Sequence, residues 1–119
     1  VGTYDATKAF DWLLAEGLHQ EWKPRGVDVL AAVAGLTDTP HARATGVQVD
    51  AMPSMKPEDA VRDLLGALGR EPFWVAGEAN RGALALLESL PRKQRSEGLS
   101  ASTLGLYAAT SAPTGRLRR

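Results

Sequence analysis

The sequence predicts an α/β fold built around a parallel sheet, of which the chain carries about two strands and three helices. Three observations support this. A long helical pattern over Thr3–Trp22 leads, past Pro24 and Gly26, into the short apolar run Val27–Val33. That run reads Val-Asp-Val-Leu-Ala-Ala-Val, which suits a strand buried on both faces of a parallel sheet better than an alternating surface strand. A second helix and a second short strand, Phe73–Ala76, then repeat the order, and a further helix follows.

In the first helix Ala6, Phe10, Leu13, Leu14, Gly17 and Leu18 form a broad apolar stripe, with Asp11, Glu16 and Gln20 off it. Thr3 is placed to cap its start, and Pro24 and Gly26 to end it. Residues 34–56 have no period and hold Gly35, Pro40, Gly46 and Pro53, so they read as one long loop. Loops of this length in compact domains often cover or bind something. Pro57 fits the first position of a helix, and Glu58 and Asp59 complement its positive end. Ala60, Val61, Leu64, Leu65 and Leu68 are expected as its buried face, and Gly69 as its stop. Gly77 closes the second strand, and Asn80 is expected to cap a helix running through Leu84, Leu86 and Leu87 to Leu90. After Pro91 come the basic Arg92, Lys93 and Arg95, then a Ser/Ala/Thr/Gly-rich stretch ending in Arg116, Arg118 and Arg119. Residues 1–96 are expected to form the folded segment and 97–119 a flexible tail, with a weak helix near Thr103–Ala109.

Composition excludes several functions. The 119 residues hold 14 acidic and 14 basic side chains, so no overall field favours nucleic acid or an anionic membrane. No cysteine is present, which removes disulfides, thiolate catalysis and cysteine metal sites and fits a cytoplasmic setting. His19 and His41 have no partner at ligand spacing, so no metal site is expected and both read as surface histidines. No apolar run reaches the ~20 residues of a membrane span. The three tryptophans read as packing or subunit contacts. The chain begins at Val1 without an initiator methionine, as a piece of a longer polypeptide would.

The chemistry lies in two short segments. Tyr4-Asp5-Ala6-Thr7-Lys8 opens the first helix and sets a phenol and an ammonium one turn apart on one face. An ammonium beside a phenol favours the phenolate, so such a pair can serve as a general acid. Alone, the pair equally describes a solvated helix start. Ala34-Gly35-Leu36-Thr37-Asp38-Thr39-Pro40 follows the first strand; an isolated Thr-Pro there is ordinary turn chemistry.

In this order and spacing the two segments resemble the C-terminal half of the short-chain dehydrogenase/reductase family. That family opens a long helix with Tyr-x-Ala-Ser/Thr-Lys and ends the next strand with Pro-Gly-x-x-x-Thr. Lys56-Pro57-Glu58-Asp59-Ala60-Val61 resembles the start of the family's helix after the substrate loop, so the likeness spans roughly residues 1–95. It implies the C-terminal portion of a Rossmann-like, doubly wound sheet and hydride transfer between NAD or NADP and a ketone or alcohol. By this resemblance Tyr4 would exchange a proton with the substrate oxygen. Lys8 would activate Tyr4 and bind the nicotinamide ribose. Gly35 and Leu36 would lie along the nicotinamide, Leu36 meeting its carboxamide, and Thr39 would contact the cofactor. Residues 41–56, with His41, Val47, Val49, Met52 and Met55, would cover a partly apolar substrate. The first helix would pair with its copy in a homo-oligomer.

Ala34 departs from the family's proline, loosening the loop without removing its donors. The family's glycine-rich nucleotide loop, catalytic serine and helix asparagine all precede the tyrosine, and none occurs in these residues. The chain alone is therefore expected to be inactive and to leave its first strand without a parallel neighbour. Two other readings remain: a non-catalytic remnant acting by association, and an unrelated helical binding module.

Overall fold

A computed structural model describes residues 2–47, 49–50 and 53–108. The chain is a mixed α/β structure with five helices and a two-stranded parallel sheet among these residues. α1 spans Gly2–Trp22, and a short 3-10 turn, Lys23–Arg25, brings the chain round to β1, Ala31–Val33. α2 (Pro40–Ala44) and α3 (Pro57–Ala67) lead to β2, Phe73–Val75, and α4 (Glu78–Ser89) and α5 (Arg92–Ala108) complete the order.

Thr3 lies inside α1 rather than capping it. The helix ends as its sequence requires: Pro24 sits in the 3-10 turn and Gly26 takes the left-handed φ of 73°. The expected strand over Val27–Val33 shortens to three residues, because only Ala31, Ala32 and Val33 have partners opposite, in Phe73, Trp74 and Val75. Nor is β1 buried on both faces. Ala31 is buried, whereas Val33 is 39% exposed and Val27 42%. β2 lies on one side of β1, and the other edge of β1 is unpaired among the described residues.

Pro57 occupies the first turn of α3 behind Lys56 at the N-cap, with Glu58 and Asp59 at the positive end. Leu68 caps the far end and Gly69, at φ 80°, turns the chain away. Only part of the expected α3 face is buried: Ala60 and Ala67 are, while Val61, Leu65 and Leu68 are exposed. α4 begins three residues earlier than Asn80 would set it, with Gly77 at the N-cap. The stretch 34–56 is not one structureless loop, for it contains α2. The segment expected to be mobile from residue 97 is helical to Ala108, so the described part of the weak helix expected from Thr103 is the end of α5. Residues 109–119, with the three terminal arginines, and Met52 lie outside the described residues.

Candidate functional site

α1 turns one face to the sheet. Residues 4, 8, 12, 15 and 19 share that face at helical spacing. Trp12 stacks on Phe73 of β2 with ring centroids 4.5 Å apart and planes at 19°. His19 is only 4% exposed, and its Nδ1 lies 2.7 Å from the Val29 carbonyl oxygen, to which an N–H there donates. The surface position expected for His19 is therefore wrong: the ring pins α1 to the approach of β1. His41 is exposed, as expected. The apolar stripe of α1 lies on the opposite side, with Phe10 66%, Leu13 67% and Leu14 48% exposed.

An open groove of about 980 Å³ runs between the sheet-facing side of α1 and β1. Tyr4, Lys8 and Trp12 line it from α1, residues 30–35 from β1 and its exit, and Leu99 from α5. Tyr4 is 64% exposed, so its phenol is open to any molecule entering the groove. The Lys8 ammonium stands 5.7 Å from the Tyr4 ring centroid and 3.4 Å from the Asp11 carboxylate. It is thus shared between the ring and an acid one turn further on.

Three of the five residues singled out from sequence, Tyr4, Lys8 and Gly35, line this groove; Leu36 and Thr39 do not. Gly35 carries the chain out of β1 at φ 67°. Leu36 offers its carbonyl to the Met55 N–H at 3.0 Å, and the Asp38 N–H donates to the Met55 carbonyl at 2.9 Å. These two bonds close the base of the 37–55 segment in a parallel bridge. Thr39 caps α2: its hydroxyl accepts from the Ala42 N–H at 3.1 Å, and Pro40 follows at the first position.

The 37–55 segment is held by charge. Arg43 on α2 donates through Nε and Nη2 to both oxygens of Asp38, at 2.6 and 2.8 Å. It also donates through Nη1 and Nη2 to Asp50, each at 3.0 Å. Two carboxylates on one planar fork is the geometry guanidinium chemistry favours. The hydrogen bonds from Arg43 hold the Asp38 carboxyl below its usual range, and those same bonds hold Arg43 charged. Inside the segment Val49 is buried, and the Ser54 hydroxyl donates to its carbonyl.

A second network braces the far side of the sheet. Asp63 of α3 accepts from the Gly77 N–H (2.7 Å), the Trp74 indole (3.0 Å) and Arg81 (2.8 Å). These bonds, the Gly77 one foremost, push its carboxyl down to about 2. Arg81 also lies 4.7 Å from the Trp74 ring centroid and donates to the Val75 carbonyl.

Comparison of the chain with known protein families, curated proteins and solved structures finds no match. The groove's own chemistry therefore carries the functional reading. Among the described residues no group of three or more His, Asp or Glu is placed to hold a metal ion. No helix among them is long and apolar enough to cross a membrane.

Sequence reading missed Arg43 and Asp63. The partners of Arg43 lie five and seven residues away in a segment without period, and those of Asp63 lie on two later elements. Local spacing signals neither.

Proposed function

We propose that this chain carries the tyrosine–lysine end of an NAD(P)-dependent oxidoreductase site of the short-chain dehydrogenase/reductase type, acting on a ketone or alcohol. The observation that supports it most is the groove, which holds Tyr4 and Lys8 on one wall and the Gly35 turn at the carboxyl end of a parallel strand on the other. Ligands of open parallel α/β sheets sit at the carboxyl ends of the strands. The nicotinamide end of a dinucleotide would lie between Tyr4 and Gly35; the glycine-rich segment that would hold its phosphates is not among these residues.

When bound, the nicotinamide supplies or takes up a hydride at the substrate carbon. Tyr4 gives its hydroxyl proton to the carbonyl oxygen in reduction and recovers it from the alcohol in oxidation. Lys8 would stand beside the charge Tyr4 carries after giving up its proton and would be the residue to hold the nicotinamide ribose. Leu36 and Thr39 serve by holding the loop shape, Leu36 through Met55 and Thr39 through the α2 cap, with cofactor contact as their further role. Residues 41–56 cover the substrate side. A cytoplasmic setting accompanies this reading, since the chemistry needs the reduced nicotinamide pool and the chain has no cysteine.

A second reading, a non-catalytic remnant acting by association, is favoured by the outward stripe of α1, where Phe10, Leu13 and Leu14 are exposed together. In the first reading the same stripe joins two subunits.

The test joins these residues to a nucleotide-binding segment in one polypeptide. Tyr4→Phe is expected to lower nicotinamide turnover by at least about 10²-fold, the usual weight of a positioned general acid, with cofactor affinity kept. Full turnover in that variant refutes the role. Alone, the 119-residue chain is expected to give no enhancement of nicotinamide fluorescence, and clear micromolar binding would overturn the division of the site.

A further inference from the structure

β1 and β2 end side by side, Val33 opposite Val75, with the Ala76 N–H donating to the Val33 carbonyl at 2.8 Å. Each strand leaves the sheet through a glycine of positive φ, Gly35 at 67° and Gly77 at 83°. Two side chains occupy the space between these exits. A Cβ on Gly35 would lie 2.5 Å from the Asn80 Nδ2, and one on Gly77 would lie 2.7 Å from the Met55 sulfur and 3.4 Å from the same Nδ2. Asn80 is fixed from the exit of β2: its Nδ2 donates to the carbonyl of Ala76, the residue after the strand, at 2.7 Å. A carbonyl partner requires a donor, so the amide has one orientation. Its neighbour Met55, with Sδ 4.0 Å from Nδ2, carries the two main-chain bonds to Leu36 and Asp38.

We propose that Asn80 is a positioning residue for the Gly35–Thr39 loop. Anchored on the end of β2, its amide is wedged against the turn leaving β1 and sets the height at which that loop stands above the sheet. Glycine at 35 is then required twice, by its φ and by the amide against it. What the loop would face, a nicotinamide, rests on the oxidoreductase reading; the positioning itself does not.

The test is amide hydrogen exchange on the 119-residue chain, with no cofactor present, so it reports on Asn80 even if the chain never binds a nicotinamide. Asn80→Ala removes both wedge and anchor. Asn80→Asp keeps the size but turns an acceptor toward the Ala76 carbonyl. In both variants exchange at the Asp38 and Met55 amides is expected to quicken by about fivefold to tenfold, the weight of an ordinary hydrogen bond. The Ala31 and Ala76 amides, which bond within the sheet region to Pro72 and Val33, are expected to stay at their original rates. Unchanged exchange at Asp38 and Met55 overturns the proposal. A uniform rise at all four amides also overturns it, since that is the mark of a residue that merely stabilises the fold.

Discussion

Thr39 illustrates how one side chain can satisfy two descriptions. Its hydroxyl accepts from the Ala42 N–H and so supplies the cap of α2, while contact with a cofactor is the role proposed for it. The cap alone makes a clear expectation. Thr39→Ala should lower stability by about 1 kcal/mol in urea denaturation, and Thr39→Ser should retain most of it. Equal stability of all three chains would show that α2 stands without its cap. The same contrast explains what was legible in the residues. Tyr4 and Lys8 sit together because one helical turn is a local rule, and the structure keeps them on one face. His19 escaped because it bonds the Val29 carbonyl in the segment leading into β1, and no neighbour in sequence records that contact.

Among elements, the boundaries that follow from proline and glycine were readable: the end of α1, the start of α3 and its exit at Gly69. The strands were readable as apolar runs, but their length was not, since a ladder extends only as far as a partner does. α2 has five residues, too few for any period, and exists through its cap and the double grip of Arg43. What joins α3, β2 and α4 is Asp63, and that junction carries a pH dependence. Its carboxyl titrates lower in the fold, about 2, than its ordinary 3.8. A depressed value means stabilisation that is intact above the ordinary value and is lost as pH falls through the folded one. An acid titration of stability should therefore fall over that window, and Asp63→Asn should be less stable at neutral pH while flattening the fall. A variant with the original slope would show that other carboxylates govern acid unfolding.

For the molecule as a whole, the interior is made of small groups. The buried apolar residues among those described are Ala31, Val49, Ala60, Ala67, Val75 and Ala76, and no large side chain is fully buried. Phe10, Leu13, Leu65 and Leu86 each remain more than 60% exposed. Burying a side chain of that size contributes roughly 1.5–3 kcal/mol, so covering several would add stabilisation comparable with that of an entire marginal domain. The isolated chain should therefore self-associate in sedimentation, and Leu13→Glu, placed on the outer stripe of α1, should shift it toward the monomer. A chain that sediments as a monomer at every concentration would remove α1 as an association surface. The unpaired edge of β1 has a practical corollary. Because the sheet is open on that side among the described residues, an extended strand of a separate polypeptide can add to it by main-chain hydrogen bonds without a covalent link.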